Sequence, residues 1–136
     1  MKIEKSKRNF VGDTCLTEND MAVLSPLYDR SVTIKDARAV LDLVCGHFGI
    51  PVPSLKFTYR NNIRRRGGYC VTIRRRRDEE ISKAYKITIS KSGENAATLL
   101  HEIAHHVDNL VHGKWGHGQT FAACFKQIMG LADGLI

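Results

Sequence analysis

No stretch of this sequence is apolar for the roughly 20 residues that a membrane-spanning helix needs. The first sixteen residues, Met1 to Leu16, carry basic side chains but no apolar core segment, so they do not read as a secretory signal, and a cytoplasmic location is expected. Cysteine is sparse and scattered: Cys15, Cys45, Cys70 and Cys124 form no C-x-x-C pair. Zinc ribbons and thioredoxin-like redox motifs need that close spacing, so both are excluded, and a disulfide framework is not expected. Three of the four cysteines have apolar neighbours and are read as small buried hydrophobes. Internal repeats, low-complexity tracts and long linkers are also missing. What remains is an ordinary globular composition, 43% hydrophobic and 26% charged over 136 residues, enough for one domain with one core.

The excess of one charge is clear, a formal +7 with a pI near 9.4, which suits a polyanionic partner without requiring one. Histidine is distributed unevenly. Five of the six, His101, His105, His106, His112 and His117, fall within seventeen residues. Around them the pattern divides into an irregular N-terminal segment, 1–30, and a domain, 31–136. Thr33, with Asp36 three residues on, is a helix N-cap signal; Ile34, Ala37, Leu41, Val44 and Phe48 then repeat at helical steps until Gly49 and Pro51. Alternating segments at Leu55–Arg60, Tyr69–Arg74 and Ala84–Ser90 predict three strands, with Asn61-Asn62 and Gly67-Gly68 supplying a turn between the first two. After Ser92, a candidate cap, the period is helical again to Gly113, and a last helix is expected from about Gln119 to Ala132 with Phe121, Phe125, Ile128, Met129 and Ala132 facing inward. The fold class is α+β.

The segment His101-Glu102-Ile103-Ala104-His105 lies inside the second long helix. Residues four apart on a helix stand one turn above each other, so two imidazoles so placed can converge on one zinc ion. Chance would put such a motif somewhere in a chain of this composition about once in a hundred. His101, His105, Asp108 and His112 share one stripe, opposite the apolar side, and Glu102 lies at its edge, where a general base for a zinc-activated water belongs. A catalytic zinc needs a third protein ligand. His112 lies roughly 10 Å of helical rise beyond His105, too far to join it. His117 follows Gly113 and Gly116, where the chain can reverse, and is preferred. His106 is on the wrong side and is expected at the surface or behind the ligands. Asp108 is a candidate to orient a ligand imidazole, and Tyr85, Lys114 and Trp115 are candidates to stabilise an oxyanion.

Thr98-Leu-Leu-His-Glu-Ile-Ala-His-His, followed by His117-Gly-Gln-Thr-Phe121, resembles the SprT-like zinc metallopeptidases, whose pattern is H-E-x-x-H, a short loop and then H-G-x-x-F or H-G-x-x-W. The likeness extends well over 86–125 and loosely over 33–132. It implies a zincin-like domain holding one Zn2+ on His101, His105 and His117, with Glu102 as catalytic base and a protein or peptide as substrate. It further implies that the substrate lies along an edge strand near Tyr85 to Ser90. Many members carry a C-terminal zinc ribbon, and this sequence lacks the cysteines for one.

Eight arginines lie between Arg60 and Arg77. Arg64, Arg65 and Arg66 fall in the predicted turn, while Arg74, Arg75, Arg76 and Arg77 end the strand after it, partly neutralised by Asp78, Glu79 and Glu80. A basic β-ribbon tip of this kind can track the phosphates of a nucleic acid, and some SprT-like proteases act on DNA-bound proteins. Two other functions fit the same residues: a nucleic-acid-binding module with a closed structural zinc, and a zinc hydrolase acting on a non-peptide amide. A closed site would leave Glu102 without a role.

Overall fold

In the computed structural model, which describes residues 22–58 and 66–136, the Thr33 hydroxyl accepts a hydrogen bond from the Asp36 N–H at 3.1 Å. A cap of this kind is worth about 1 kcal/mol. It opens α1, Ile34–Phe48, which buries Ala37, Val40, Leu41, Val44 and Cys45 and ends at Gly49 in the left-handed conformation. The chain then forms β1 (Ser54–Phe57), β2 (Gly67–Arg76), β3 (Glu79–Ile89), α2 (Ala96–His112) and α3 (Gln119–Ala132). The architecture is the expected α+β arrangement. Ahead of it, part of the segment read as irregular is a 3-10 helix, Ser25–Asp29, and Leu24 beside it is fully buried in the core.

The sheet has the order β1-β3-β2, with β1 parallel and β2 antiparallel to β3. This corrects the expectation that Tyr85–Ser90 lies on an edge. Lys86 to Ile89 pairs with Ser54–Phe57 on one side and with Gly67–Cys70 on the other, so β3 is the central strand and, among the described residues, β1 and β2 are the edges. Gly67 and Gly68 belong to β2 and not to a turn. Alternation places Tyr69, Val71, Ile87, Ile89, Leu55 and Phe57 on the face that packs against the helices. Cys70, one residue out of phase, is exposed, contrary to its reading as a buried thiol; Cys45 and Cys124 are buried.

Beyond Ile73 the ladder continues without a core beneath it. Arg75 stands opposite Glu80 and Arg76 opposite Glu79, after a bulge at Arg74/Arg75. Opposite charges across a pair support such a ribbon by a few tenths of a kcal/mol each. Arg77 and Asp78, both at positive φ (53° and 66°), make the tight turn. Arg66 precedes β2, whereas Arg74 to Arg76 end it and Arg77 follows, about 26 Å or more away along a ten-residue strand. They therefore do not form one patch; Arg64 and Arg65, like Asn61 and Asn62, lie outside the described residues.

Asn95 caps α2, its side chain accepting from the Thr98 N–H at 2.8 Å. Ser92, the expected cap, sits in a preceding 3-10 turn, Lys91–Gly93. That turn presses against the start of β2. The Arg66 carbonyl accepts from the Ser90 N–H at 2.8 Å and the Ser90 hydroxyl at 2.9 Å, and a Cβ on Gly93 would lie 2.0 Å from the same oxygen. Gly93→Ala is therefore expected to destabilise the fold by about 2–3 kcal/mol. Gly46→Ala, in the exposed face of α1 with nothing near the added carbon, should stabilise it by about 0.5–1 kcal/mol. Denaturant midpoints of opposite sign check both, and a neutral Gly93→Ala would refute the close approach.

Candidate metal centre

Eleven of the seventeen residues of α2 are buried, Asp108 among them, and on its histidine stripe His101 and His105 are half-buried while His112 is exposed. α3 covers the half-buried part. Gly113, left-handed at φ 66°, ends α2, and the loop that follows returns His117 to the stripe immediately before Gly118 caps α3. The Nε2 atoms of His101, His105 and His117 then form a triangle with sides of 3.1, 3.1 and 3.2 Å. Phe121, fully buried one turn into α3, is its floor: its ring centroid lies 5.1, 4.7 and 4.9 Å from those of His101, His105 and His117. Phe125 backs Phe121 at 5.9 Å.

Three neutral imidazole nitrogens at these distances cannot all satisfy one another, because each Nε2 offers either one hydrogen or one lone pair. A tetrahedral metal site with metal–nitrogen bonds of about 2.0–2.1 Å sets its nitrogens about 3.3–3.4 Å apart, which the triangle nearly matches. These three residues could hold a metal ion. Charge supports this. Burial, and then the neighbouring His105 and His117, hold the His101 imidazole well below its usual range. Burial and His117 push His105 down to about 3. Both are neutral near pH 7, as ligands must be.

Glu102 follows His101 on the adjoining face of α2 and is only 6% exposed. Its carboxylate faces β2, where a Cβ on Gly67 would lie 3.0 Å from Oε2. Glycine at that position gives the carboxylate its room. His112 takes no part in the triangle; its Nδ1 lies 3.0 Å from Asp108 Oδ1. Asp108 is thus engaged with His112 and is not the support of a ligand imidazole that the sequence suggested.

His106 is fully buried, not at the surface. Its Nε2 pairs with the Pro51 carbonyl at 2.7 Å. With that N–H donating, Nδ1 accepts from the Tyr69 hydroxyl at 2.8 Å, which in turn accepts from Asn109 Nδ2 at 3.2 Å. Burial lowers the His106 pKa, although the Pro51 bond opposes the shift. This chain of bonds fastens α2 to β2 behind Glu102. Of the proposed oxyanion stabilisers, Tyr85 packs its ring 5.1 Å from His106, and Trp115 lies 5.7 Å from Tyr69. Trp115 and Lys114 are both exposed.

A family model described as the SprT-like family matches residues 38–135, which takes in most of α1, the sheet, α2 and α3. The chain belongs to the SprT-like family. The match covers the whole of α2 and the His117 loop, so the triangle and Glu102 lie inside it. Comparison with curated proteins and with solved structures gave no match.

The depressed imidazoles set the acid stability of the metal-free chain. Unfolded histidines take up protons below about pH 6.5, whereas His101, His105 and His106 in the folded chain resist them. Stability is then full above that pH and falls continuously as pH drops beneath it toward the folded values. Thermal unfolding of chelator-treated protein between pH 7.5 and about 4.5 checks this. A melting temperature that stays level across pH 6.5 to 5 would show that the three rings are not buried as described.

Proposed function

We propose that this chain is a zinc-dependent metallopeptidase, with zinc held by His101, His105 and His117 and Glu102 as the general base. The observation that carries the proposal is the meeting of three elements at one place. Three imidazole nitrogens converge within 3.2 Å, a buried carboxylate lies on the next helical position, and β2, an edge strand among the described residues, passes beside that carboxylate at Gly67. Zinc bound there would supply an acidified water and polarise a carbonyl.

The protein's own groups divide the remaining work. Glu102, held between α2 and β2, accepts the proton of the attacking water and delivers it to the departing amine nitrogen. Its low exposure keeps solvent from competing for that proton. The edge of β2 offers main-chain N–H and C=O groups to an extended peptide, in the manner of an added strand. Main-chain pairing of this kind favours a peptide over a small amide. The purely structural alternative needs a fourth protein ligand, and His112 is turned toward Asp108.

Glu102→Gln should keep the metal and lose peptide hydrolysis by roughly a hundred- to ten-thousand-fold, since the base is removed and the ligands are not. His117→Ala should lose both. Hydrolysis of an unfolded protein substrate, measured beside metal content, separates the two. Wild-type activity in metal-replete Glu102→Gln would refute the catalytic assignment.

A further inference from the structure

A second group of side chains lies at the far end of the same helix pair. Asp108 and His112, on the last turns of α2, meet Cys124 of α3, and one ligand atom from each lies within 4.8 Å of the others. His112 Nδ1 is 3.0 Å from Asp108 Oδ1 and 3.8 Å from Cys124 Sγ. The arrangement is poorly satisfied as it stands. Asp108 is 1% exposed, and its Oδ2 has no hydrogen-bond partner among the described residues. A buried carboxylate oxygen in that condition is costly. His112 Nδ1 cannot resolve it, because one ring nitrogen carries one hydrogen or one lone pair. If it donates to Asp108, nothing remains there to accept from the thiol.

We propose that Asp108, His112 and Cys124 form a second metal site, for a borderline divalent cation of which Zn2+ is the best match. A carboxylate oxygen, an imidazole nitrogen and a thiolate are the donors such a cation selects. Bonds of about 2.0–2.3 Å to them imply tetrahedral edges of about 3.3–3.6 Å, between the two separations found. The Cys124 thiol releases its proton to solvent as the thiolate binds. His112, with 39% of its side chain exposed, lies at the solvent side, where water completes the coordination. The site is separate from the His101–His105–His117 triangle in both ligands and donor chemistry. Its placement gives it a purpose: it ties the end of α2 to α3 across the loop 113–118, and that loop carries His117.

Titration of the full metal-free chain with Co2+ tests the proposal. Only this second site contains sulfur, so its filling has its own signature, a near-ultraviolet sulfur-to-cobalt charge-transfer band. The expected result is two equivalents bound, with the band accompanying one of them. Cys124→Ala and the more exposed His112→Ala should each remove one equivalent and the band, while leaving the other equivalent in place. His101→Ala with His105→Ala should do the reverse, keeping the band. One equivalent without the band would overturn the second site and leave the proposed peptidase centre standing. One equivalent with the band would do the opposite. A band that survives both Cys124→Ala and His112→Ala would overturn the assignment of these ligands.

Discussion

Everything near the proposed site depends on holding three imidazole nitrogens 3.1 to 3.2 Å apart without water between them. In a metal-free chain this is an unfavourable contact, since converging lone pairs and lost hydration both oppose it. The fold offsets that cost with packing. Phe121 touches all three rings and is fully buried, Phe125 supports it, and α3 lies along α2. The left-handed Gly113 reverses the chain, so His117 arrives from a loop fixed at both ends. A rigid α2 is the common requirement. The Asn95 cap, the Tyr69–His106–Pro51 bonds and the sheet on its other side supply it.

The sheet serves the same helix. Gly93 lies against the Arg66 carbonyl and Gly67 against Glu102, so the start of β2 is fitted to α2 at two points where a side chain has no space. These contacts bring β2, an edge strand among the described residues, beside the carboxylate. The far end of β2 and β3 is a different kind of structure, a charged ribbon with no core contact. Two of its arginines, Arg75 and Arg76, face glutamates across the ladder.

Local features of this organisation are legible in the sequence. The four-residue spacing of His101 and His105, the Thr33–Asp36 cap and the glycines closing α1 and α2 act within one or two turns, so reading them needs no knowledge of distant residues. Apolar neighbours lead to a buried reading of Cys70, although the strand alternation, with Tyr69 and Val71 claiming the inward positions on either side, points it outward. The Asn95 cap precedes Thr98 by the expected three residues and was obscured by Ser92. Other features depend on distant partners. Alternation in Lys86–Ile89 reveals two faces but not two neighbours, and the parallel pairing with Ser54–Phe57 is set by tertiary packing. His106 is buried because Tyr69 and Pro51, 37 and 55 residues earlier, come to meet it. Nothing near position 106 announces either partner.

The central claim is that His101, His105 and His117 make an open three-histidine centre and not a closed one. X-ray absorption on zinc-loaded Cys124→Ala protein addresses it directly, because that substitution removes the nearby sulfur. The account predicts three imidazole nitrogens and one light oxygen donor at about 2.0–2.1 Å. A shell of four imidazoles, or one with fewer than three, would contradict it.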